Sequence, residues 1–121
     1  MLKDSLFTII SLSQQNGSVI TELRVNADND IFKGHFPGQP VLPGACMLQM
    51  LKEVLEMALD IKLQLQKAAQ MKFLSLIDPQ IDHQLQLNVT YTTNDNGYNV
   101  TAALNANTKT CFKFKGMFVR I

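Results

Sequence analysis

Neither sign of charge prevails in this chain. Eleven Lys and Arg against ten Asp and Glu leave a formal net charge of +1, so no overall field gathers nucleic acid or anionic lipid. Long apolar runs are missing as well. Near the start, Leu6 to Ile10 is already broken by Thr8, far short of the ~20 residues that a membrane span needs. The same stretch lacks the longer apolar segment and small-residue cleavage site of a secretion signal. Cysteine is scarce. Cys46 and Cys111 suit a reducing cytoplasm, and no disulfide between them is expected. No ligand spacing joins them to His35 and His83, so no metal site is expected. No repeat, low-complexity tract or long linker divides the 121 residues, which read as one domain over 1–121.

What is present is the material of an ordinary globule, 46% hydrophobic and 17% charged. Strands are expected over Leu6–Ser13 and Ser18–Asn26, with Gln15-Asn16-Gly17 as the turn, because Asn and Gly accept positive φ cheaply. Three of the four prolines and three of the six glycines fall between Gly34 and Gly44. Each proline fixes φ and removes an amide donor, so this segment is a stiff, shaped loop.

Pro43 fits the first position of a helix that runs on to about Asp60. The helix would be about 27 Å long and apolar around most of its circumference. Gln49, Lys52, Glu53, Glu56 and Asp60 form one narrow polar stripe, with Glu56 and Asp60 read as solvated. Met47, Met50 and Met57 read as adaptable core or as the lining of an acyl tunnel. Further strands are expected over Ala69–Ile77 and Ile81–Thr93. In the second, Ile81, Leu85, Leu87, Val89 and Tyr91 alternate with polar residues, and His83 lies on the apolar side as a core or rim histidine. A turn at Asn94–Gly97 leads to Val100, Ala102, Leu104 and Ala106. Another near Asn107 leads to a last strand with Phe112, Phe114 and Phe118 on one face. Short turns between consecutive strands make an antiparallel meander. The fold class is therefore α+β, a five- to six-stranded antiparallel sheet wrapped around one long central helix. One side of so apolar a helix stays uncovered, and a dimer is the simplest cover.

Gly34-His35-Phe36-Pro37-Gly38-Gln39-Pro40-Val41-Leu42-Pro43-Gly44, followed at once by a buried helix, resembles the signature loop of hot-dog-fold (3R)-hydroxyacyl-[acyl-carrier-protein] dehydratases. Lys72-Phe73 and Ile77-Asp78-Pro79 are similar to that family's later strand entry and turn, a weaker match. The resemblance implies elimination of water from a 3-hydroxyacyl thioester, as in fatty-acid or polyene synthesis, without a cofactor. It implies His35 as the base for the C2 proton, working near neutral pH. It implies the Gly44 amide as a donor to the thioester oxygen, with Phe36, Pro43 and Ala45 as further substrate contacts. It also implies a cytoplasmic homodimer, or an oligomer of dimers, taking acyl groups from acyl carrier protein or coenzyme A.

The chain departs from that pattern at one place. Fourteen residues after His35, where the family carries a carboxylate from the other protomer, stands Gln49. Glu53 follows one turn later, where relatives carry the amide. An amide binds a hydroxyl but does not deliver a proton, so either Glu53 or Gln49 handles the substrate hydroxyl. Two other readings stay open. One is a catalytically impaired carrier-binding or heterodimer-partner homologue; the other is a thioesterase in which Glu53 activates water. Lys109, Lys113, Lys115 and Arg120, with Lys33, offer a steering surface to an acidic carrier, or simply a solvated strand face.

Overall fold

The computed structural model describes residues 1–33 and 40–121. Among these residues, six strands form one antiparallel sheet in the order β1-β2-β4-β5-β6-β3. β1 (Phe7–Gln15) and β2 (Ser18–Val25) make a hairpin whose turn, Asn16-Gly17, holds φ of 44° and 81°. The structure spaces the apolar residues of β1 by three, at Ile9 and Leu12. A bulge between Ile9 and Ser11 absorbs the extra residue, so both pack on the core while Ile10 turns outward. β2 alternates as expected, with Val19, Thr21, Leu23 and Val25 inward. The inward Thr21 donates its hydroxyl to the Ser11 carbonyl at 2.7 Å, which makes its burial cheap.

A short 3-10 turn (Asp30–Phe32) is N-capped by Asn29; most of the stiff loop expected between Gly34 and Gly44, residues 34–39, lies outside the described residues. The helix α1 spans Gly44–Leu59, one residue later than expected, because Pro43 is its N-cap in extended conformation. Asp60, at φ 55°, ends it with a left-handed turn. Cys46, Met47, Met50, Leu51, Val54 and Leu55 bury the helix against the sheet.

β3 (Leu63–Phe73) corrects the strand expected over Ala69–Ile77. Only its first residue is buried, and among the described residues it pairs with β6 alone, so no apolar alternation marks it in the sequence. Beyond Phe73 the chain leaves the sheet, with the Leu74 amide donating to the Cys111 carbonyl and the Leu42 amide to the Ile77 carbonyl. Ile81 is likewise not in a strand. The Ile81 and Asp82 amides turn back onto the Asp78 carbonyl, and Ile81 is exposed. β4 (Gln84–Thr93), β5 (Gly97–Ala106) and β6 (Lys109–Arg120) form the meander. Their inner face carries Leu85, Leu87, Val89, Val100, Leu104, Phe112, Phe114 and Phe118, each stabilising the fold by about 1.5–3 kcal/mol through burial. Gly116 interrupts this face for a steric reason. A Cβ there would lie 2.1 Å from the Lys67 carbonyl oxygen, beside the bulges in the pairing of β3 with β6.

The first residues of the chain fold over the helix. Leu6 is fully buried, its carbonyl accepts the Asn26 amide, and Asn26 and Asn29 both donate side-chain N–H groups to the Ser5 carbonyl.

Candidate functional site

Two groups of residues carry the candidate chemistry, one at the start of α1 and one a turn and a half along it. His35 and Phe36 lie outside the described residues. At the helix start, Gly44 opens the first turn, so its amide is among the four N-terminal donors that a helix cannot satisfy internally. The macrodipole adds partial positive charge there. The Pro43 carbonyl already accepts the Cys46 and Met47 amides, which fixes the first turn. Pro43 is half-buried and Ala45 is exposed. The wall beside them is aromatic: the Phe73 ring lies 2.6 Å from where a Gly44 Cβ would stand, and stacks on Phe112 with centroids 5.2 Å apart. The Phe73 ring therefore occupies the space that a side chain at position 44 would enter.

Further along α1, Gln49 and Glu53 meet. The Gln49 Nε2 donates to Glu53 Oε2 at 2.8 Å. Glu53 is only 4% exposed, so the solvated stripe expected of this helix breaks here. Its Oε1 accepts the amides of Leu2 at 3.0 Å and Lys3 at 2.9 Å, and its Oε2 accepts Leu2 again at 2.9 Å. Those partners are backbone groups of the N-terminal segment, and no residue type in the sequence announces them. The one available signal was how narrow the polar stripe is on so apolar a helix, since a carboxylate in it needs donors if buried. Glu56 is also not free: it is half-buried and accepts the Leu63 amide at 2.8 Å. Only Asp60 is exposed.

Several neighbouring groups serve the framework. His83 is exposed at the rim, with Nδ1 2.8 Å from the Pro79 carbonyl. Cys46 and Cys111 are buried free thiols, and burial pushes both above the usual thiol value. Arg120 lies over the Tyr98 ring, 5.4 Å from its centroid, which commits it to β5. Among the described residues no group of three His, Cys, Asp or Glu is placed to hold a metal ion. Two hollows of 350 and 400 Å³ lie on the outer face of the sheet, sharing Thr90, Thr101 and Lys115; no residue of α1 lines either. No helix of the described residues is long and apolar enough to cross a membrane.

A family model described as ApeI dehydratase, of the ApeI-like group, matches residues 11–115. The 3-hydroxyacyl-[acyl-carrier-protein] dehydratase FabZ of Chlamydia trachomatis is 34% identical over 56 residues, 46% of this chain. That match spans only 37% of the relative's own length. Among solved structures, the dehydratase heterocomplex ApeI:P of Xenorhabdus doucetiae is similar at a TM-score of 0.74 and 21% identity, over 93% of this chain and 96% of that one. A hypothetical thioesterase of Streptococcus pneumoniae, solved with coenzyme A, is similar at a TM-score of 0.68 and 11% identity, over 95% and 85% of the two chains. Identities this low speak for the fold, and the fold is the hot-dog.

Proposed function

Since the chain belongs to the ApeI-like dehydratase family, we propose that it eliminates water from (3R)-hydroxyacyl thioesters to give trans-2-enoyl thioesters. The observation that carries this reading is the seat of Gly44, whose amide opens a buried helix directly after the His35 loop. Dehydration of a thioester builds negative charge on the carbonyl oxygen once the C2 proton leaves. A helix N-terminus stabilises that charge more in the transition state than in the bound substrate. His35 takes the C2 proton, the C3–O bond breaks, and the departing oxygen leaves as water after receiving a proton. Phe36, Pro43 and Ala45 line the acyl thioester beside Gly44. No cofactor is needed for these steps.

The working unit in this proposal is a cytoplasmic homodimer, or an oligomer of dimers, with the acyl slot at the interface. Among the described residues β3 has a neighbour on one side only, and Met71, Phe73 and Leu74 are exposed on or next to it. A second copy covers such an edge and the half-exposed side of α1. The substrate arrives on acyl carrier protein or coenzyme A. Strands β3 to β6 contain no acidic residue, and Lys67, Lys72, Lys113 and Lys115 are exposed on them, a surface suited to an acidic carrier.

A second reading has a specific observation in its favour. Gln49 stands where the resemblance calls for an acid, as it would in a homologue that binds carriers or partners an active chain without turning over. Hydrolysis through Glu53 is less well supported, because each of its oxygens already accepts two hydrogen bonds. One incubation with a 3-hydroxyacyl thioester separates the readings by its outcome: enoyl thioester, unchanged ligand or free acid. In the dehydratase case His35→Ala lowers kcat by about 10²–10⁴-fold. Undiminished turnover in that variant would remove His35 from the mechanism.

A further inference from the structure

We infer that Glu53 is a positioning residue for Gln49: it holds the side-chain amide in one orientation, so that Gln49 presents its oxygen to the 3-hydroxyl of the acyl substrate. The substrate is taken from the dehydratase reading above, on which this rests; the polarity of the pair stands on its own geometry.

A carboxylate only accepts hydrogen bonds. With Glu53 Oε2 at 2.8 Å, the end of the Gln49 amide that faces it must be the NH₂, because the flipped amide would set two acceptors against each other. Glu53 cannot swing away to relieve such a clash. Its remaining contacts come from the Leu2 and Lys3 amides, backbone donors that cannot reverse their polarity, and it is 4% exposed. The whole chain of bonds therefore runs in one direction, from fixed N–H donors through the carboxylate to the amide. What is left over among the described residues is Gln49 Oε1, an acceptor on a half-buried side chain. A substrate hydroxyl meeting it must donate its proton to that oxygen. The lone pairs of the hydroxyl then stay open, and the proton that His35 removed from C2 can be returned to that oxygen as the C3–O bond breaks. One imidazole thus serves as base and then acid, and the amide aligns the leaving group without exchanging a proton. The exchanged pair of side chains keeps an acceptor in place, where a lost acid would leave none.

The test uses variants that invert the polarity in known steps. Glu53→Gln must turn its own oxygen to Leu2 and Lys3 and offer its NH₂ to Gln49, whose amide then flips and presents NH₂ to the substrate. This variant is expected to fold, with kcat down about 10²-fold and KM within about threefold. Gln49→Glu alone sets carboxylate against carboxylate and loses turnover. The exchange Gln49→Glu with Glu53→Gln restores an acceptor at 49 and recovers kcat to within about tenfold of the parent. If Glu53→Gln does not fold, Gln49→Leu keeps the backbone bonds of Glu53 and is expected to show the same loss of kcat. Full turnover in Glu53→Gln or Gln49→Leu, or a gain in Gln49→Glu alone, overturns the proposal. If the parent itself dehydrates nothing, it is the dehydratase reading that has failed. The pair is then read by calorimetry, with a 3-hydroxyacyl thioester against its saturated analogue. A preference of about tenfold for the hydroxyl, lost in Glu53→Gln, supports the acceptor role, and equal binding in the parent overturns it.

Discussion

The ring of Phe73 fills the space beside Gly44 that a side chain would enter, with one ring carbon 2.6 Å and another 2.7 Å from the position of a Cβ. The contact joins the last residue of an exposed edge strand to the opening turn of the central helix. Gly44→Ala must push the ring off its stack on Phe112. Because Phe73 is half open to solvent at 52%, the ring has room to move, and alanine favours the helix. Stability is expected to change by less than about 1 kcal/mol, while turnover falls at least tenfold as the wall beside the amide shifts. Adding Phe73→Ala should restore part of the turnover. Thermal melts beside kinetics on a 3-hydroxyacyl thioester separate the two effects.

Gly116→Ala is expected to behave in the opposite way. Its Cβ would meet the Lys67 carbonyl at 2.1 Å and the Ala68 Cα at 3.2 Å, and backbone has nowhere to go. The pairing of β3 with β6 must open there, costing about 1–3 kcal/mol. A urea titration should show the lower midpoint, with amide exchange rising first in β3. An unchanged midpoint would mean that the bulges of β3 yield more readily than their packing indicates.

Lys72 and Lys113 are direct cross-strand partners, an arrangement of like charges that weakens a sheet. Replacing Lys72, Lys113 and Lys115 by Glu is expected to slow association with an acidic acyl carrier about tenfold or more and to reverse its salt dependence. Turnover of a small, uncharged thioester should stay within about twofold, since these residues lie on the outer face. Stopped-flow binding at two ionic strengths provides the check. Equal association rates would reduce the lysines to a solvated face.

The buried thiols set an alkaline limit. Burial raises the folded-state values of Cys46 and Cys111 above the ordinary 9.0, so the folded chain holds these protons more tightly than the unfolded one. The stability they contribute is present below pH 9.0 and is lost as the pH climbs from there toward the raised values. Melting temperature should hold level through neutral pH and decline above pH 9.0, and Cys46→Ala with Cys111→Ala should flatten the decline. Alkylation of both thiols should be slow until denaturant is added.

Much of this fold was legible because its inner strands alternate. Val19, Leu23 and Val25 in β2, the row Leu85, Leu87 and Val89, and the phenylalanines of β6 each declare one buried face, and the turns at Asn16-Gly17 and Asn107 carry their own chemistry. β3 was legible only in part. As an edge strand exposed at nearly every position, it has no need for period-two apolar residues, and its boundaries moved by six residues at the start and four at the end. At the site, Gly44 and Pro43 were readable from proline and glycine chemistry. Gln49 and Glu53 were readable as a pair at helical spacing, but not their hydrogen bonds. The groups that immobilise Glu53 are main-chain amides fifty positions away, and every residue except proline has one.

The strand order carries a consequence for how the molecule assembles. β2 and β4 are neighbours, yet the helix and β3 lie between them along the chain, and β3 ends up at the far margin. The β4-β5-β6 meander closes through short reversals and has its partners at hand. The seam between β2 and β4 brings together segments far apart in sequence, with the helix between them to be enclosed as it closes. Refolding should therefore proceed at the pace of that closure. Pulse-labelled exchange should find the amides of Leu104 and Phe114 sheltered before that of Leu23.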